Sequence, residues 1–281
     1  IPEVLLDNTD RNRTSSFAFT GNKFELRAVG STANCAVPMI VLNTIVSEQL
    51  ELFKVAVDQR IEKGDKKDDA ILKELQTLIT QSKAIRFEGN GYSDEWVVEA
   101  AKRGLSNLTN TPDALAVFNR PEVIALFEKQ QVLRKEELHA RYEVEMENYI
   151  LKRQIETHVL LQMARGSILP AAVDYQSQLL MNVQGLNDVL GKEAAKYSGA
   201  QLDLIKKAGA LIQQMHAEAN TLQSTHDDLE SIESVAKKAK GYAEKVMPLM
   251  ESLGATCAEL EVTVDDALWP LPKFTELLFT R

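Results

Sequence analysis

Apolar residues change their rhythm along this chain of 281 residues. In Lys23-Phe24-Glu25-Leu26-Arg27 they alternate with charged ones. Successive side chains on a strand point to opposite faces, so one face carries a cation, an anion and a cation, and the other needs a core. Gly21-Asn22 just before it tolerates positive φ, which predicts a β-hairpin turn. Ile1–Leu6 reads as a short strand, and Asp7–Asp10 as a polar turn.

After Pro38, which suits a first helical turn, the period becomes helical. Leu42, Ile45, Val46, Phe53, Ala56 and Val57 keep that spacing to about Arg60. Beyond a charged break at Glu62–Asp69, Ile71, Leu72, Leu75, Leu78 and Ile79 form a stripe opened by Asp68 and Asp69. Ser93 caps a helix opened by Asp94 and Glu95 and ended near Gly104. Thr111-Pro112 and Asn119-Arg120-Pro121 each start a short helix. Glu128 to Arg165 contains neither Gly nor Pro, and a continuous helix there would run about 57 Å at about 1.5 Å per residue.

Gly166 to Pro170 predicts an interruption. The a/d-like spacing then resumes through Leu179, Leu186, Ile205, Ile212, Met215 and Leu222, and again through Leu229, Tyr242 and Val246. A closed intramolecular bundle explains these short breaks better than a partner-binding coiled coil. Pro248 predicts a kink, and Leu277, Leu278 and Phe279 an apolar tail that docks back. The predicted class is mainly α: an N-terminal β-hairpin followed by an elongated helical bundle.

Net charge is −9 and the pI about 5.1, which argues against nucleic acid and anionic membrane as partners. Residues 1–30 hold four acids (Glu3, Asp7, Asp10, Glu25) and four bases (Arg11, Arg13, Lys23, Arg27), so the acidic excess belongs to the remainder. No uninterrupted apolar run approaches the roughly 20 residues that span a bilayer. Two distant cysteines, Cys35 and Cys257, suggest a reduced, cytosolic chain without a disulfide framework or metal spacing. His139, His158, His216 and His226 are scattered and read as structural, with His226 near the bundle seam. His226-Asp227-Asp228 with Glu230 reads as a capped helix start. Gly89-Asn90-Gly91 before a helix superficially suggests a phosphate cradle, but no Lys-Ser/Thr follows and the first turn is acidic.

On chemistry alone the Lys23–Arg27 face is a solvated strand surface with weak ion pairs. The wider segment NRTSSFAFTGNKFELRAVGS, however, resembles the end of the catalytic domain of glutamine synthetases of the long type III class. It carries that family's N-R-[ST] motif at Asn12-Arg13-Thr14 and its [KR]-x-E-x-R strand at Lys23–Arg27. Thr111–Tyr149 resembles the closing helices of that domain, and the extension ending in LWPLPKFTELLF resembles the type III class.

The resemblance implies an ATP-dependent ligase that joins ammonia to glutamate through a γ-glutamyl phosphate, with Mg2+ or Mn2+. It implies Glu25 as a metal ligand, Arg27 as a contact to the glutamate substrate, Arg13 as the catalytic arginine facing the transferring phosphate, and Lys23 near the nucleotide. It departs at Ala18, where the family carries a second arginine on the nucleotide side. It further implies that residues 1–150 end the catalytic domain and 151–281 form the class-specific bundle. Opening on Ile1-Pro2 without Met, the chain reads as a fragment that needs the N-terminal part of the same protein and is inactive by itself, within a cytoplasmic, ring-forming homo-oligomer. A non-catalytic helical scaffold or interaction module is the alternative.

Overall fold

Alternation at the start of the chain gives two short antiparallel strands, β1 (Phe17–Phe19) and β2 (Phe24–Leu26). Phe17 faces Leu26, Ala18 faces Glu25 and Phe19 faces Phe24. In this computed structural model the described residues are 17–19, 23–27, 30, 33–87, 90–91 and 93–278. The turn at Gly21-Asn22, the strand expected at Ile1–Leu6 and the Asn12-Arg13-Thr14 motif lie outside them.

Helices follow as the spacing predicts: α1 (Ala36–Glu62), α2 (Lys67–Gln81), α3 (Asp94–Lys102), α4 (Thr111–Leu115), α5 (Pro121–Lys129) and α6 (Lys135–Met163). Beyond them lie α7 (Leu169–Leu190), α8 (Gly199–Glu230), α9 (Val235–Gly241), α10 (Met247–Thr263) and α11 (Phe274–Leu277). The fold is mainly α. By their contacts the residues form two units, Ile1–Leu108 with Phe118–Leu138, and Thr109–Val117 with His139–Arg281.

In the first unit, α1 and α2 pack as a hairpin around buried Val57 and Ala70. Arg60 Nε donates to Glu74 Oε2 at 2.8 Å, and Lys73 Nζ to Asp65 Oδ1 at 2.6 Å. Asp68 and Asp69 occupy the first turn of α2, complementing its dipole. Ser93 caps α3 by accepting from the Trp96 N–H, and Gly104 beyond its end takes φ +77°, a conformation that disfavours any Cβ. By length and composition α1 is apolar enough to cross a membrane. The expectation of no such segment counted uninterrupted runs, and Asn43, Thr44, Ser47 and Glu48 break the run without cancelling its mean.

The unbroken helix expected from Glu128 to Arg165 is corrected. Gln131 adopts φ +54°. The Gln131 N–H donates to Glu128 O and the Val132 N–H to Phe127 O, both at 3.0 Å, which is the paired Schellman pattern. Glu137 then restarts the chain as α6 by accepting from the Arg134 N–H at 2.8 Å. A glutamine in the glycine position hid this break from the sequence.

In the second unit α8 packs against α7 and α10. Its buried positions Ala208, Leu211, Met215, Ala219, Leu222, His226 and Leu229 step by three and four. The interruption expected at Gly166–Pro170 is a single π turn, and another π turn precedes Pro248, where a kink was expected. At Ala164–Ile168 the Leu169 N–H bonds to Ala164 O, five residues back, and at Tyr242–Val246 the Met247 N–H bonds to Tyr242 O. Pro170 and Pro248 stand at the second position after each wide turn. Proline lacks an N–H and its ring crowds the carbonyl four residues back, and the extra residue in the turn relieves that conflict. His226-Asp227-Asp228 lies in the last turn of α8, not at a helix start. At the described residues of the tail, Leu277 is 52% and Leu278 78% exposed.

Candidate functional site

β2 places Glu25 between its two charged neighbours, because positions two apart share a strand face. Lys23 Nζ lies 3.3 Å from Glu25 Oε1, and Arg27 Nη2 3.0 Å from Glu25 Oε2. Each carboxylate oxygen therefore meets one cation. The hydrogen bond from Arg27, then that from Lys23, holds the Glu25 carboxyl below its usual range. The glutamate is an anion at neutral pH and its charge is more than matched locally. On the opposite face Phe17 and Phe24 stack at 4.7 Å with 15° between ring planes. Phe24 is nevertheless 51% exposed, while Phe17 and Leu26 on the same face are half-buried.

The structure thus brings three of the four expected site residues, Lys23, Glu25 and Arg27, onto one face. The fourth, Arg13, lies outside the described residues. Ala18, where the expected pattern departs, sits directly across the ladder from Glu25.

Comparison with known proteins adds what three side chains cannot. Residues 70–187 match the family model of the glutamine synthetase C-terminal domain. The whole chain is 43% identical to a glutamine synthetase of Bacteroides fragilis and covers 39% of it. It is 33% identical over its whole length to a type-3 glutamine synthetase of Dictyostelium discoideum, covering 38% of that protein. Over 98% of its length it is 30% identical to a glutamine synthetase of Butyrivibrio fibrisolvens, again covering 38%.

Along its whole length the chain is similar to glutamine synthetases, and over residues 70–187 to their C-terminal domain.

It spans about 39% of the length of the Bacteroides relative. The family model begins at residue 70, past the charged strand, whereas the whole-chain identities include it. A glutamine synthetase is expected to use divalent metal. Among the described residues no group of three or more His, Cys, Asp or Glu side chains could hold one. Glu25 fits a single hard-cation ligand, with both oxygens already facing cations, and does not make a centre by itself.

Two further constellations escaped the sequence reading. In the second unit Tyr242 Oη lies 2.6 Å from Glu230 Oε1 and 2.8 Å from His226 Nδ1, with Gln154 Nε2 donating to the same Glu230 oxygen at 2.8 Å. The carboxylate only accepts, so the single hydroxyl proton goes to it, and His226 is assigned as the Nδ1–H tautomer donating to the phenol oxygen. Burial, then the hydrogen bond to Glu230, pushes Tyr242 up. In the first unit, Lys83, Arg86 and Arg103 line one cleft. Tyr242 lies twelve residues beyond Glu230 and Arg103 seventeen beyond Arg86, in each case past a helix end, so periodicity had no means of completing either group. Cys257 is buried, with burial pushing its thiol up to about 11, and Cys35 is exposed.

Proposed function

We propose that this chain is the C-terminal portion of a glutamine synthetase, in which ATP-dependent ligation joins ammonia to glutamate through a γ-glutamyl phosphate. Residues 1–150 then end the catalytic domain and 151–281 form a helical bundle of the type III class. The observation that carries this reading is the 43% identity to the Bacteroides glutamine synthetase along the whole chain.

The roles of the charged strand follow from its chemistry. Arg27 offers a planar, permanently charged fork, suited to the carboxylate of glutamate, and Glu25 orients that fork through the 3.0 Å contact to Nη2. Lys23 contributes a compact cation toward nucleotide phosphate. Arg13 provides the catalytic arginine toward the transferring phosphoryl group. Glu25 supplies one oxygen toward Mg2+ or Mn2+, which when bound neutralises charge on the transferring phosphate. Positioning of this kind accounts for most of the rate enhancement in phosphoryl transfer.

The remaining ligands belong to the N-terminal part of the same protein, within a cytoplasmic, ring-forming homo-oligomer. This chain alone makes no glutamine, because one carboxylate cannot hold a cation that seeks six oxygens. The test measures glutamine formed from glutamate, ammonia and ATP by the complete protein and by the 281-residue chain. Activity in the complete protein only is expected. No activity in either would favour the scaffold reading, and activity in the short chain would overturn the assignment of missing ligands.

A further inference from the structure

Three cationic side chains, two from the segment after α2 and one from the residue that ends α3, converge on one cleft. It has a volume of about 810 Å³ and is lined by Thr80, Gln81, Lys83, Ala84, Arg86 and Arg103. Among the described lining residues none is acidic, although the chain as a whole carries a net charge of −9. We propose that this cleft binds a small phosphate ester.

Arg103 is already held in place. Its Nε donates to Glu99 Oε1 at 2.8 Å, and its Nη1 to Arg86 O at 2.7 Å and Ala84 O at 3.3 Å. Its guanidinium lies 5.6 Å over the Trp96 ring, which stacks on Phe87 at 4.1 Å. Nη2 takes no part in these bonds. Arg86 is oriented by one bond, from Nη2 to Ile79 O at 3.0 Å. The helix-end carbonyls that would repel an anion are thereby covered by guanidinium groups. The Lys83 ammonium makes no hydrogen bond or ion pair among the described residues, so it is available to a ligand.

Glu99 offsets one of the three positive charges, leaving two for a ligand. A phosphate monoester carries close to two negative charges at neutral pH, and its three oxygens match two guanidinium forks and an ammonium. Ordering of Arg103 before binding lowers the entropic cost of capture. The volume falls within the usual range for small-molecule sites and exceeds what a bare ion fills. None of these residues lies in the Asp10–Arg27 segment, and binding needs no turnover, so the outcome is independent of the ligase reading.

The experiment titrates the 281-residue chain with ribose 5-phosphate by calorimetry, with inorganic phosphate and citrate as comparators. Variants are Lys83→Gln, Arg86→Gln and, as a control for net charge, Lys54→Gln on α1. Saturable binding of the ester is expected, at least tenfold tighter than inorganic phosphate or citrate. Lys83→Gln and Arg86→Gln should each weaken it about tenfold, and Lys54→Gln less than twofold. Lys83→Gln removes no bond of the fold, so its effect reads the cleft and not stability. Three results would overturn the proposal: no saturable binding, equal binding of citrate, or equal losses in all three variants.

Discussion

Replacing Tyr242 by Phe removes one oxygen from the core of the second unit and leaves the ring. That oxygen serves two partners, Glu230 at 2.6 Å and His226 at 2.8 Å, and the residue is 0% exposed. A charge-assisted hydrogen bond contributes about 1.5–3 kcal/mol and a neutral one about 1 kcal/mol. Gln154 stays on the Glu230 oxygen, so the carboxylate keeps a partner and the expected loss lies at about 2–3 kcal/mol. With a urea dependence of about 1.5–2 kcal/mol per molar, the unfolding midpoint should fall by about 1–2 M. The chain has two tryptophans, Trp96 in the first unit and Trp269 in the second. Fluorescence in a Trp96→Phe background therefore follows the second unit alone. A loss under about 0.5 kcal/mol would refute a role for the shared hydroxyl as a structural bond, since neither partner would then depend on it.

The same network makes a pH prediction. Burial, then the neighbouring His158, whose ring lies 4.7 Å away, lowers the pKa of His226, against the opposing pull of Glu230 and Asp227. A depressed histidine pKa means that the unfolded state binds the proton first, so this contribution is intact above about pH 6.5 and is lost as pH falls below it. The Trp269 midpoint should drop between pH 7.5 and 5.5, and His226→Asn should flatten that drop; equal slopes would count against it. Glu230 does not confuse the window. Burial alone would raise its carboxyl, but the hydrogen bonds from Tyr242 and Gln154 outweigh it and keep the pKa below 4.5. In the first unit, Gln131→Gly should stabilise by up to about 1 kcal/mol, because glycine adopts φ +54° without a Cβ penalty. Urea unfolding read from Trp96 checks this, and a destabilised variant would show that the Gln131 side chain matters to the break.

Helix starts were readable wherever they carried their own chemistry. Asp68 and Asp69 at α2, Ser93 at α3 and Pro121 at α5 all mark the ends they suggested. The 3-4 stepping of Ala208, Met215, Ala219 and Leu222 located the buried seam of α8. Reading failed where a residue did something its type seldom does. Gln131 ends a helix as glycine would, and the stretch Gly166–Pro170 passes through a wide turn instead of interrupting the helix. Leu277 and Leu278 look like core residues by composition and are exposed. In the candidate site, alternation alone placed Lys23, Glu25 and Arg27 together, as their ion pairs show. It could not show that both oxygens of Glu25 would be occupied. Nor could it group Arg86 with Arg103, which are seventeen residues apart and joined by a backbone carbonyl.

The placement of the metal site at the charged strand turns on Glu25, and Glu25→Gln in the complete protein tests it most directly. The substitution keeps size, leaves one of the two accepting oxygens, and removes the negative charge that a divalent cation requires. Steady-state glutamine synthesis would be measured across Mg2+ and Mn2+ concentrations, and separately across glutamate concentrations. The account predicts that turnover falls by at least a hundredfold, that higher metal concentration recovers part of it, and that the fold is unchanged by circular dichroism. Unchanged turnover with an unchanged metal requirement would contradict it and return the Lys23–Arg27 face to a solvated strand surface.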